Sequence, residues 1–133
     1  MFEPSTWQAV LDHHASLFAG LEPGTAAVLL PQATWDGQAE ESLVWRREPT
    51  GMRASLAIWD GVEACDAELI FVAMRDALAR LAAAPVEARL GLFRDQVREG
   101  DMLCFVTRNC GDLDAGWEAF LESLDHAFMG ACR

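Results

Sequence analysis

The 133-residue chain contains no lysine and no tyrosine, and it has only four cysteines and five prolines. Its ten basic residues are all arginines, set against 21 Asp and Glu, for a formal net charge of −11. Cationic charge supplies most of the affinity for phosphate backbones and for anionic bilayers. Its scarcity argues against nucleic acid and against a membrane surface as partners. The longest uninterrupted apolar run, Leu69 to Met74, falls far short of a membrane span. The N-terminus, Met1-Phe2-Glu3-Pro4, has neither a positive segment nor a long apolar stretch, so a cytoplasmic location with reduced thiols is expected. Cys65, Cys104, Cys110 and Cys132 show no C-x-x-C spacing, which argues against a zinc or redox site.

What is present is a globular composition, 52% hydrophobic and 23% charged. The length fits a single domain over residues 1–133, large enough to bury a core without staples. Ser5-Thr6-Trp7-Gln8 has the form of a capping box, and Trp7, Val10, Leu11, Leu17, Phe18 and Leu21 trace an amphipathic first helix. Residues 25–31 read as a buried strand. Residues 43–48 and 52–59 read as a hairpin turning at Pro49-Thr50-Gly51, with period-2 alternation in its second arm. A long helix is predicted from Cys65 to Ala84, with Ala67, Ile70, Phe71, Met74, Ala77, Leu78 and Leu81 on its main face. Leu69 and Val72 lie on the opposite side, which suggests a second contact surface such as a dimer seam.

Residues 88–94 fit either a strand or a helix. Val86, Leu90, Phe93 and Val97 have helical spacing, whereas Gly91 and the alternation of Leu90 and Leu92 favour a strand. Residues 102–107 read as a further strand. Asp112 or Asp114 can cap a last helix whose apolar face runs from Leu113 to Ala131. The predicted order is α-βββ-α-ββ-α, an α+β domain with a mostly antiparallel sheet.

Catalytic signatures are missing from this pattern. His13 and His14 are adjacent, so on a helix they diverge by about 100° and cannot form an i, i+4 ligand pair. No phosphate loop, nucleophile elbow or zinc-helix motif occurs. The expectation is therefore a non-catalytic protein with no cofactor and no metal. Acid is concentrated on the first and last helices and in residues 32–42, while the stretch from Arg75 to Arg108 is nearly neutral. This layout leaves a less charged surface for a protein partner. Tryptophan suits such a surface, since an apolar ring can meet a partner while its N–H stays wet. Trp35, Trp45 and Trp59 are the candidate partner contacts.

Residues 88–128, ARLGLFRDQVREGDMLCFVTRNCGDLDAGWEAFLESLDHAF, are similar to the last hairpin, turn and acidic helix of the class I type III secretion chaperones, the Tir-chaperone family. The predicted element order, the size and the acidity also resemble that family. The resemblance implies a homodimer formed through the second helix, with Leu69 and Val72 at the seam. It implies binding of a non-globular segment of a secreted effector protein, and no catalysis. Two alternatives stand beside it: a roadblock-type dimeric scaffold for a small GTPase, and a small α+β enzyme or ligand-binding domain whose site is assembled only in three dimensions.

Overall fold

The computed structural model describes residues 2–37, 40–107 and 115–123. Helix α1 (Pro4–His13) and a short 3-10 turn (Ala15–Phe18) lead into strand β1 (Ala26–Pro31). A single helical turn, α2 (Gln32–Trp35), follows, and then the hairpin β2 (Glu41–Glu48) and β3 (Gly51–Ile58). A connection containing the 3-10 turn Val62–Ala64 leads to β4 (Leu69–Ala73). Helices α3 (Ala77–Ala83) and α4 (Val86–Glu99) precede β5 (Met102–Val106), and a 3-10 turn (Ala115–Trp117) opens α5 (Glu118–Ser123).

The five strands form one sheet in the order β3-β2-β1-β4-β5. β1 and β4 pair in parallel, with Val28 opposite Ile70, and the other pairs are antiparallel. The α+β class with a mostly antiparallel sheet therefore holds. The helix predicted over residues 65–84 does not form. Its first half is β4, where all five residues are buried, and only Ala77–Ala83 is helical. Leu69 and Val72 are 0% and 1% exposed within the chain, so the helical face that suggested a dimer seam does not exist. Residues 88–94 lie inside α4, where Arg89, Phe93, Gln96 and Val97 form the buried stripe at helical spacing. Most of the predicted last helix lies outside the described residues.

Period-2 alternation divides the sheet into two apolar faces. On the first, Ala27, Leu29, Leu43, Trp45, Leu69, Phe71, Met102 and Cys104 pack under α1, α4 and α5. Trp45 is the hub of this core, with ring centroids 5.8 Å from Trp7, 5.8 Å from Phe93, 5.9 Å from Phe120 and 6.1 Å from Phe71. It is 2% exposed, so it is a core residue and not a surface contact. The helices close tightly over it. A Cβ on Gly116 would stand 2.4 Å from the Gly20 carbonyl oxygen, a distance no side chain tolerates.

On the second face, Ala26, Val28, Leu30, Val44, Ile70 and Val72 are also buried, although no long helix covers them among the described residues. Their cover is the connection from β3 to β4. It must cross β2 and β1, about 14 Å at the usual strand spacing. Trp59, Cys65 and Ala67 on this connection pack into the second-face cluster, joined by Trp35 of α2. Glu68 N–H donates to Ala26 O at 2.9 Å and Trp59 N–H to Glu40 O at 2.9 Å, which pins both ends of the crossing.

The outer edge of β3 is closed by a side chain. Gln8 of α1 donates from Nε2 to Met52 O and accepts from Ala54 N–H at Oε1, both at 2.8 Å. Its amide thus occupies the place of a sixth strand and blocks edge pairing. This use of Gln8 replaces the predicted capping box. The helix instead starts at Pro4, and no side chain caps its N-terminus.

This packing can be tested at two residues. Gln8→Leu removes both edge bonds and should lower unfolding stability by about 1–2 kcal/mol in urea titrations. A change within error would show that the edge is satisfied otherwise. Burial, and after it the charge of His13, lowers the pKa of His14 from 6.5. The unfolded chain then takes up that proton more readily, so the His14 contribution is fully present above about pH 6.5 and lost as pH falls below it. Stability measured from pH 8 to pH 5 should decline less steeply in His14→Gln.

Candidate functional site: an apolar pocket on the second sheet face

Between the second face and its thin cover lies a cavity of about 460 Å³. Among the described residues it is lined by Trp35, Val62, Ile70, Phe105, Val106 and Thr107. Four separate segments supply these residues. β1 ends in Pro31, and the single turn of α2 that follows places Trp35 over the sheet. The crossing connection brings Val62 to the rim, where it is 43% exposed. β4 and β5 provide the floor through Ile70 and Phe105, which are register partners.

An aromatic wall fixes the shape of the pocket. The Trp35 ring stacks on Phe105, with centroids 5.0 Å apart and planes within 3° of parallel. It also stacks on Trp59 at 5.9 Å and 29°. Trp59 is buried, whereas Trp35 and Phe105 are half-buried and keep part of their surface open to the cavity. The polar atom at this wall is already committed: Thr107 Oγ donates to Ala67 O at 2.7 Å. None of the described lining residues carries a charged side chain. The arrangement can therefore shelter an apolar body, preferably a flat one. Its described lining residues hold no nucleophile beside an acid–base group.

The three tryptophans singled out in the sequence thus separate. Trp35 and Trp59 meet in one stack at the pocket, while Trp45 sits on the opposite face of the sheet. Val62, Ile70, Phe105 and Thr107 were missed. Residues 102–106 carried the available signal, because apolar side chains occupy both alternating sets, Met102, Cys104 and Val106 on one and Leu103 and Phe105 on the other. Such a strand needs cover on both faces. His13 and His14 lie edge to face, 4.8 Å apart, on α1 and the turn after it. Among the described residues no cluster of three His, Cys, Asp or Glu could hold a metal ion. No helix among them is long and apolar enough to cross a membrane.

The fold and the pocket define a class: an α+β domain with a mixed sheet, helices α1, α4 and α5 on one face and, among the described residues, an apolar cavity beneath a single helical turn and a crossing connection on the other. No protein-family model matches the chain, and no curated protein matches it. Among solved structures, it is similar to a protein described as UbiJ-SCP2 ubiquinone synthesis protein, at 15% identity and a TM-score of 0.47. That match covers 93% of this chain and 86% of the other. It is also similar to a conserved hypothetical protein from Thermus thermophilus, described as possibly a sterol carrier protein, at 16% identity and a TM-score of 0.44. This second match covers 100% of this chain and 91% of the other.

The element order overturns the resemblance to the secretion chaperones directly. The long second helix that would build the chaperone dimer is strand β4 followed by a short helix, and the supposed last hairpin is helix α4 followed by β5. An effector-binding chaperone is accordingly withdrawn. The roadblock-type scaffold fails on the same ground, since four strands form before the helix pair α3–α4.

The alternation on β5 can be checked chemically. Phe105 faces the pocket while Cys104 faces the core, where burial pushes its thiol up to about 12. Iodoacetamide at pH 8 should leave Cys104 unmodified in the native protein and label it after unfolding, as read by peptide mass mapping. Native labelling of Cys104 would contradict the assigned register.

Proposed function

We infer that the chain is a non-catalytic binding protein for a small, uncharged, apolar molecule held in the pocket of the second sheet face. The observation that carries this reading is the cavity of about 460 Å³ lined by apolar and aromatic side chains. It lies within the usual range of roughly 300–1,000 Å³ for small-molecule sites. An apolar cavity of this size gains by filling with an apolar ligand, because water there finds few hydrogen-bond partners. The Trp35–Phe105 stack offers parallel ring faces, so a planar ring system or a flat conjugated segment fits better than a branched aliphatic one. The half-buried Trp35 and the exposed Val62 form the side through which a ligand enters.

The uncharged dye N-phenyl-1-naphthylamine tests this reading. Its fluorescence should rise saturably on titration with the protein, with one site per chain. Val62→Trp places a large ring at the rim and should weaken dye binding at least about tenfold, which corresponds to about 1.4 kcal/mol. Leu103→Trp, outside the lining, should leave binding unchanged. At dye concentrations about 100 times Kd the unfolding stability should rise by about 2.7 kcal/mol. Non-saturable binding, or equal binding by the Val62→Trp variant, would overturn the reading.

A further inference from the structure

A second, smaller cavity of about 100 Å³ lies on the helical side of the sheet, lined by Glu3, Thr6, Trp7, Ala82 and Arg89. Arg89 is its unusual member. It stands in the first turns of α4, yet it is only 4% exposed. Its Nη2 donates to Ala84 O at 2.8 Å and to Ala82 O at 3.3 Å, which stitches the end of α3 to the start of α4. Those carbonyls account for Nη2 alone. Nε is buried with no partner, and Arg89 takes part in none of the ion pairs of the described residues. The guanidinium carbon lies 5.3 Å from the centroid of the Trp7 ring, and this packing shields the cation further from water.

A cation taken out of water with no carboxylate in direct contact is an expensive arrangement. Burial accordingly pushes the pKa of Arg89 down, with Glu3 opposing the shift. Carbonyl contacts alone explain why an arginine closes α3. They leave Nη1 without a bond among the described residues, on a residue that lines the cavity.

We propose that this cavity is a binding site for a small monocarboxylate, whose carboxyl group accepts from the free guanidinium donors of Arg89 while a short apolar tail rests on Trp7 and Ala82. Charge decides for a monoanion. One cation with no carboxylate in contact matches a single negative charge, whereas a doubly charged phosphate would be repelled more strongly by Glu3 at the rim. Glu3 is exposed, and its carboxylate accepts from Thr6 Oγ at 3.3 Å, so it is held beside the cavity and weakens binding of any anion there. Size points the same way, since about 100 Å³ accommodates a ligand of acetate to butyrate size and excludes an amino acid with a long side chain. The site is independent of the apolar pocket, which lies across the sheet.

Sodium propionate titrated into the 15N-labelled full chain tests the proposal, with sodium chloride at equal ionic strength as the control. The Trp7 indole N–H resonance should shift saturably with propionate and not with chloride. Glu3→Gln, an exposed change that leaves the fold intact, should tighten binding about two- to fivefold, as expected for removal of one exposed like charge. Arg89→Met should abolish the shift. Inorganic phosphate should bind more weakly than propionate. A propionate effect no larger than that of chloride, an unchanged midpoint in Glu3→Gln, or preference for phosphate would each overturn the proposal.

Discussion

The structure depends on one constraint: its two central strands are apolar on both faces. β1 and β4 pair in parallel, and every residue from Ala26 to Leu30 and from Leu69 to Ala73 is buried. A parallel pair of this kind must be covered twice, because neither face can meet water without exposing Val, Leu, Ile or Phe. Helices α1, α4 and α5 cover one face with a dense aromatic core around Trp45. On the other, the described cover is a single turn of helix and one crossing connection. Among the described residues this second cover is thin, and the pocket lies beneath it. Stacked rings from Trp35, Trp59 and Phe105 hold it open where a helix would have filled it.

The same constraint accounts for the edges. With both faces apolar, an open strand edge would invite pairing with another chain. Gln8 closes the β3 edge by presenting its amide to Met52 and Ala54. At the corners between β4, α3 and β5, Asp101 pairs with both Arg75 and Arg80, and its backbone carbonyl accepts from Met74 N–H at 2.9 Å. Arg75 adopts a left-handed conformation there, φ 49°, which is unusual for a non-glycine residue. Polar side chains thus define where the sheet stops, while apolar packing decides which face becomes a core and which becomes a pocket.

Much of this was legible in the sequence. The strand at 25–31, the hairpin about Pro49-Thr50 and the strand after Gly100 all form where their periodicity places them, while the first helix forms only over Pro4–His13 and its predicted continuation through Leu17 and Phe18 is a separate 3-10 turn. The misread helix over residues 65–84 has a clear cause. Leu69 to Met74 is an unbroken apolar run, and a strand buried on both faces has no period of its own. Neighbouring apolar residues at Ala77, Leu78 and Leu81 then extended a spurious helical pattern back through it. The clue was that Leu69 and Val72 fell on the wrong side of that helix, as they must when apolar residues point both ways. In α4, Gly91 suggested a strand. Arg89 and Gln96 concealed the helical stripe, because a buried arginine and a buried glutamine, the latter donating to Ala77 O at 3.0 Å, do not look like core residues. The pocket itself was not legible, since its residues come from four segments that only the β1–β4 pairing and the crossing connection bring together.

The division of the tryptophans between the two faces gives the most direct test of the central claim. Trp35 and Trp59 belong to the pocket side, while Trp7, Trp45 and Trp117 belong to the helical core. In a 15N spectrum of the chain titrated with an uncharged planar apolar ligand, the indole N–H resonance of Trp35 should move most and that of Trp59 less. Those of Trp7, Trp45 and Trp117 should stay in place. Uniform movement of all five, or movement confined to the core group, would contradict an apolar site on the second face.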